Sequence, residues 1–296
     1  MSKKLLSGCT LSLVIAIGLT ACGSKQEAAQ KLTITGSSTV APLTSEIAKK
    51  FESENPGIRI DVQTGGSSRG LADATQGLAD IGMVSRALKP AEITQYQSFA
   101  IATDGIGIIL QDSNPVTNLS NQQILDIYQG KITNWSEVGG ADAEITVVNK
   151  AEGRSTLELF LDYFALTNSQ IAADVVIGDN QQGIKTVAGN PHAIGYVSIG
   201  AAERDIDAGV PLKLLPVGGV AASSQTLQDG SFPLARPLNL VTTATPTGLT
   251  QEFIQFAQSE NVRDLVEAQN LVPITEQSVS QDKKDTEQKL VGATSR

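Results

Sequence analysis

The sequence predicts an α/β fold, on two observations. Strand-like and helix-like runs alternate through most of the chain, the pattern of a sheet covered by helices. One unit, an apolar strand followed by a Gly/Ser loop and a helix, also occurs three times. Leu32–Thr35 runs into Gly36-Ser37-Ser38-Thr39, Ile58–Val62 into Gly65-Gly66-Ser67-Ser68, and Ile145–Val148 into Gly153-Arg154-Ser155-Thr156. The first N–H groups of a helix have no intrahelical partner, hydroxyls donate, and the helix dipole favours negative charge there. Taken singly, each loop reads as an ordinary N-cap. Three of them in one acidic chain point to a small oxyanion held by several helix N-termini.

The elements follow in order. After the first loop a helix runs from Pro42 to Phe51, buries Ile47, Ala48 and Phe51, and ends at Asn55-Pro56-Gly57. Ser68–Gln76 is the second helix, stopped by Gly77, and Ala79–Ser85 is a buried strand ending beside Arg86. Pro90 opens a short helix. Phe99–Leu110 is a long apolar run broken by a single acid, Asp104. Ser120 and Gln123 have capping-box spacing, and the helix they open presents Ile124, Leu125 and Ile127 before Gly130. Leu157, Phe160, Leu161 and Phe164 carry the helical period out of the third loop. Val175–Ile177, Ile194–Ile199, Leu214–Val217 and Leu238–Val241 read as strands, and two closing helices span Phe253–Ala257 and Val262–Val266. No internal repeat interrupts this order.

Residues 1–21 read as a targeting segment, with Lys3 and Lys4 ahead of an apolar stretch, Leu11–Gly18, that is too short to span a bilayer. Leu19-Thr20-Ala21-Cys22-Gly23 resembles a bacterial lipobox, which would make Cys22 the lipidated first residue of the mature chain. Residues 22–30 read as a tether, and 277–296, polar and without an apolar period, as a disordered tail. With Cys9 in the discarded segment, Cys22 is the one mature cysteine and no disulfide can form within the chain. Removing 21 residues and two lysines leaves 275 residues and moves the net charge from −9 to −11. That is enough chain for one large core or two lobes. The acidic balance argues against nucleic acid and against polybasic membrane contact. It does not exclude a small anion, whose local donors outweigh a distant field that salt screens.

Enzyme chemistry finds little support. A serine hydrolase needs a base, usually histidine, and the one histidine, His192, stands beside Pro191 in a turn. A metallophosphatase needs clustered histidines and carboxylates, and the sequence pattern has none. No cofactor, no metal and no catalysis are expected. Tyr96, Tyr128, Tyr163 and Trp135 are scattered in sequence and read as core or interface residues rather than sugar platforms, and Met83 as core.

Gly36–Pro42, Gly66–Gly70, Ala79–Arg86, Asp104-Gly105-Ile106, Gly130–Trp135, Ala193–Val197, Phe232–Leu238 and Val272-Pro273-Ile274 form an ordered set across residues 31–275. In this set the chain resembles the substrate-binding lipoproteins of bacterial phosphate ABC transporters. The resemblance implies a type II periplasmic-binding-protein fold: two α/β lobes joined by two crossing segments, with inorganic phosphate clamped between them. The crossings are expected near Gly107–Gln111 and Leu234–Asn239. Residues 31–108 with 237–276 then make one lobe, and 109–236 the other. The resemblance further implies a monomer that delivers phosphate to permease subunits and is held to a membrane at the cell envelope through acylated Cys22. Binding of sulfate or molybdate on the same fold, or a phosphate-sensing surface role without transport, are the alternatives.

Carried over by position, Ser38 and Thr39 of the first loop, Ser67 of the second, and Ser155 and Thr156 of the third are the implied phosphate ligands, joined by an arginine. One branch of the family has that arginine where this chain has Lys150, and a serine where it has Arg154. Arg154, at the helix start, is the expected guanidinium, and Lys150 a surface charge at a strand end. The same branch has an aspartate where this chain has Arg86, so Arg86 is expected at the anion and the acceptor for the phosphate proton lies elsewhere. Asp104, alone in its apolar run, is the expected acceptor. Neutralising Arg86 is its other reading, and Glu152 is the runner-up.

Overall fold

The computed structural model describes residues 30–274. The targeting segment, Cys22, the tether up to residue 29 and the tail lie outside the described residues. In chain order the elements are β1 (Gln30–Gly36), α1 (Ala41–Glu54), β2 (Ile58–Thr64), α2 (Ser67–Thr75), β3 (Ile81–Val84), α3 (Pro90–Ile93), β4 (Gln97–Gln111), α4 (Asn121–Tyr128), β5 (Thr146–Lys150), α5 (Ser155–Phe164), β6 (Val175–Ile177), α6 (Asn180–Ala188), β7 (Ala193–Ser198), α7 (Ile199–Asp207), β8 (Leu212–Leu215), α8 (Ser224–Gln228), β9 (Ala235–Thr242), α9 (Gly248–Ala257), α10 (Arg263–Glu267) and β10 (Val272–Pro273). The strands join in the order β2-β1-β3-β9-β4-β7-β5-β6, with β8 and β10 also paired to β4.

Strand β4 belongs to both lobes. Residues 97–105 pair antiparallel with β9, and residues 106–111 pair with β7 and β8. The first crossing therefore falls at Gly105–Ile106, just ahead of the expected segment. Ile106, Ile108 and Leu110 enter one core and Ile109 another, as strand alternation requires. Apolar layers on both faces explain why this stretch reads as an unbroken apolar run. In the first lobe β1, β2 and β3 are parallel, which demands crossover connections, here α1 and α2. Every such connection delivers a loop to the carboxyl end of the sheet, where the cleft lies.

Each lobe has its own apolar centre. In the first, Leu32, Ile34, Ile47, Phe51, Met83, Leu240 and Phe253 pack together, with Phe51 edge-on to Phe253 at 5.6 Å. In the second, Tyr128, Trp135, Phe160 and Tyr196 are buried, and Phe160 stacks on Tyr196 at 4.1 Å. Met83, Tyr128 and Trp135 are thus core residues, while Tyr96 and Tyr163 are partly buried at core margins. The sequence pattern does not predict helices α6 and α7, and both line the space between the lobes.

Candidate anion-binding site

The three Gly/Ser loops meet where the lobes face each other. Ser68 N donates to Gly153 O at 3.3 Å. Arg236 links the first and third loops, Nη2 to Thr39 Oγ1 at 3.4 Å and Nη1 to Thr156 Oγ1 at 2.8 Å. Ser37 organises the first loop: its Oγ accepts from the N–H groups of Thr39 at 3.2 Å and Val40 at 3.4 Å, and donates to Ser85 Oγ at 3.0 Å. Ser67 Oγ accepts from Ser85 N at 3.2 Å, so the end of β3 fastens both loops. Ser38 and Thr39 also lie on the wall of a cavity of about 340 Å³ beside α1, α6 and α7, which none of Ser67, Arg154, Ser155, Thr156 and Arg236 lines.

In the second and third loops no side chain caps the helix start, although Ser68 N–H is already taken by Gly153 O. Helices α2 and α5 start after Gly66 and Arg154 without any side-chain cap, whereas Ser120, Asp179 and Ser198 cap α4, α6 and α7. Ser155 Oγ is buried with no hydrogen-bond partner among the described residues, a state that costs about 1–3 kcal/mol until a partner arrives.

Asp104 and Arg236 are the fixed charge pair of the cleft. They sit opposite each other on antiparallel β4 and β9, both side chains wholly buried. Asp104 Oδ2 accepts from Arg236 Nη2 at 2.8 Å and Nε at 3.2 Å. Its Oδ1 accepts from Ser198 Oγ at 3.0 Å and Gly200 N at 3.3 Å. A carboxylate has about four acceptor positions, and all are filled. Two expectations are corrected by this. Asp104 does not neutralise Arg86, and it keeps no lone pair with which to accept a phosphate proton. Its work is to fix the plane of Arg236, a residue that the sequence did not single out.

The other charges are also redistributed. Arg86, expected at the anion, donates through Nη1 and Nη2 to Glu92 at 2.7 and 2.9 Å. Its Nε lies 3.1 Å from Glu158 Oε2, out of line for a hydrogen bond. Two carboxylates compensate this one cation, so it is not free to serve a ligand. Lys150, expected at the surface, is buried, and its Nζ donates to Asn180 Oδ1 at 3.1 Å. Burial pulls this amine down to about 7, and the neighbouring Arg236 adds to the shift. Glu152 is exposed and accepts from Asn168 Nδ2 at 2.9 Å, which takes it away from the cleft. Arg154 is half-buried and pairs with no carboxylate among the described residues. Its side chain lies along Gly66 and reaches towards Gly178.

Further bonds close one lobe on the other. Asn180 Nδ2 of α6 donates to Thr39 Oγ1 at 3.2 Å, and Glu158 of α5 takes Lys89 Nζ at 2.6 Å. His192 is exposed, and its carbonyl accepts from Trp135 Nε1 at 2.9 Å.

Two α/β lobes closed on a shared cluster of helix N-termini define a class of two-lobed binding proteins. The chain belongs to the PBP superfamily, whose domain matches residues 23–261, and the expected periplasmic-binding-protein fold is borne out. It is similar to the phosphate-binding protein PstS of Bacillus subtilis, at 29% identity over 262 residues, covering 87% of this chain and 85% of that one. Among solved structures it is similar to a putative phosphate ABC transporter substrate-binding protein with bound phosphate from Clostridium perfringens. There the identity is 32% and the TM-score 0.77, over 83% of this chain and 100% of the other. It is also similar to an ABC-type phosphate transport receptor from Vibrio cholerae, at 30% identity and a TM-score of 0.66, with the same coverage of 83% and 100%.

Proposed function

We propose that this chain captures inorganic phosphate between its lobes and delivers it to an ABC permease. The observation that carries the reading is the meeting of two helix starts without side-chain caps, α2 and α5, with the buried Ser155 hydroxyl, which has no partner among the described residues, beside Arg236. A desolvated dianion needs many fixed donors, and charge-assisted hydrogen bonds are the strong ones. Thr39, Ser67, Ser155 and Thr156 are the proposed hydroxyl ligands, with Ser38 at the cavity wall and Arg154 and Arg236 as the cations. The names of the similar proteins, a phosphate-binding protein and a phosphate transport receptor, support phosphate as the anion. The role is binding rather than catalysis, because no histidine reaches the cleft serines.

Calorimetry of the soluble protein tests this. Phosphate should saturate at one per chain, with sulfate and molybdate weaker. No phosphate binding would sink the reading, and equal sulfate binding would widen it to tetrahedral oxyanions in general. Arg154→Ala removes a cation that pairs with no carboxylate among the described residues, at the start of α5. The loss of a charge-assisted partner is about 2–5 kcal/mol, so phosphate affinity should drop at least roughly tenfold. An unchanged isotherm would remove Arg154 from the site.

The protein works as an exported monomer anchored by acyl chains on Cys22, a reading supported by the lipobox-like Leu19–Cys22. Cys22→Ala should move it from the membrane fraction to the soluble fraction, since acyl chains supply such anchoring. A variant that still requires detergent would show that something other than Cys22 holds it.

A further inference from the structure

Lys150 ends β5 and turns its side chain inward, behind the cleft. Among the described residues its Nζ has one acceptor, Asn180 Oδ1 at 3.1 Å. Asn180 in turn donates across the cleft to Thr39 Oγ1 at 3.2 Å, the same oxygen that Arg236 Nη2 reaches at 3.4 Å. The amine therefore stands two hydrogen bonds from the place where both lobes would touch an anion. No carboxylate forms an ion pair with it among the described residues.

The groups around it are of mixed sign. Arg236 on β9 and Arg154 before α5 disfavour its charge, while Asp179 at the cap of α6 favours it. Asp104 on β4 is already engaged by Arg236. From β7, the Tyr196 hydroxyl faces the backbone N–H of Lys150 at 3.4 Å and donates to Asn149 Oδ1. With the cleft empty of anion, a protonated Lys150 would be a second buried cation beside Arg236, served by a single neutral acceptor. Burying an unpaired charge is strongly unfavourable. A dianion at the starts of α2 and α5 reverses the sign of the local field and favours the charged amine.

We propose that phosphate capture is proton-linked through Lys150: as the anion settles between the lobes, one proton passes from solvent to Nζ. No bond of the phosphate is made or broken. Lys150 is then a positioning residue that holds Asn180 to Thr39 when neutral, and a counter-charge when the cleft is loaded. The inference rests on the phosphate-binding role proposed above. It also gives a direction. The free amine loses its proton at about 7, so above that pH binding must draw the proton from solvent, and affinity declines as pH rises. Below it the amine is already charged and the linkage vanishes.

The test is calorimetric titration of phosphate into the wild-type protein and Lys150→Arg, in buffers of different ionisation enthalpy, from about pH 6 to about pH 9. Arginine keeps a permanent charge, and the proton balance of phosphate itself is common to both proteins. The wild type should take up an excess that approaches one proton per phosphate near the alkaline end and fades near the acidic end. Its affinity should fall relative to Lys150→Arg by up to about tenfold per pH unit in that range. Equal proton counts at every pH overturn the proposal. A second readout needs no variant: in lysine-labelled wild-type protein, one Cε resonance should titrate near neutrality and stop doing so when phosphate is saturating. A Lys150 signal that titrates identically with and without phosphate also overturns it. If the wild type binds no phosphate in any buffer, the function proposed above fails, and this inference falls with it.

Discussion

Asp104→Ala should lower the stability of phosphate-free protein by about 3–5 kcal/mol, the usual consequence of leaving one member of a buried pair unpaired. Three groups lose their acceptor at once. Arg236 loses both bonds to Oδ2, and the Ser198 hydroxyl and Gly200 N–H lose Oδ1. The side chains of Asp104 and Arg236 have no solvent exposure, so the lost bonds are not passed directly to bulk water. Against a typical stability of about 5–15 kcal/mol this is a large share, and the melting temperature should fall by on the order of 10 °C. Asp104→Asn keeps the shape and loses only the charge, so its fall should be smaller. Phosphate gives the effect its signature. Arg236 pairs with no other carboxylate among the described residues, so if the proposed dianion sits beside it, saturating phosphate should stabilise Asp104→Ala by more than it stabilises the wild type. If Asp104→Ala melts within a degree or two of the wild type, the pair is not what holds the crossing strands. If phosphate protects both proteins equally, Arg236 does not face the anion.

The sequence made the scaffold legible and part of the site, and the division has physical causes. Strand alternation and the three Gly/Ser loops are local signals, so the loops and the helices they open were readable. Asp104 was readable as a buried acid because it alone breaks an apolar run. Its partner was not, because Arg236 pairs with it through a strand register 132 residues away. One signal did exist: Arg236 stands between Pro233-Leu234-Ala235 and Pro237-Leu238, a cation in an apolar strand just as Asp104 is an acid in one. The sequence places Lys150 at the surface, because a long amine at a strand end usually reaches water. Here α6 covers it instead. That helix was itself missed, since Gly183 lies in its middle and weakens the helical pattern. The glycine is there for packing: an added Cβ would come within 2.6 Å of Ile177 Cδ1 and 3.0 Å of Val197 Cγ1. Arg86 and Arg236 both follow or lie in strands at the cleft, and only tertiary contact reveals that Glu92 and Glu158 claim the first.

Gly66→Ala should separate folding from capture more sharply than any change of a ligand. Gly66 has a φ of 101°, a conformation that side chains rarely adopt, so alanine there carries strain of about 1–3 kcal/mol wherever the lobes stand. The second effect depends on the lobes. In the closed protein an added Cβ would lie 2.6 Å from Gly153 O and 3.0 Å from Arg154 Cδ, and both belong to the third loop, across the cleft. The collision is with backbone, which cannot swing aside as a side chain does. It is absent once the lobes part. The clash therefore penalises the closed state alone, on top of the strain common to both states, and a ligand that needs both lobes binds more weakly in proportion to the lost closed population. A penalty of about 3 kcal/mol would weaken phosphate binding by roughly a hundredfold. Gly57→Ala is the matched control, because Gly57 has a φ of 95° and nothing within 4 Å of its added Cβ. It should show a similar loss of stability and bind phosphate normally. Solution scattering gives the second readout. At a phosphate concentration that just saturates the wild type, phosphate should contract the wild type and Gly57→Ala and leave most of Gly66→Ala at its ligand-free radius. If Gly66→Ala binds and contracts like the wild type, the contact between the second and third loops does not form on capture, and the lobes do not close in the way drawn here.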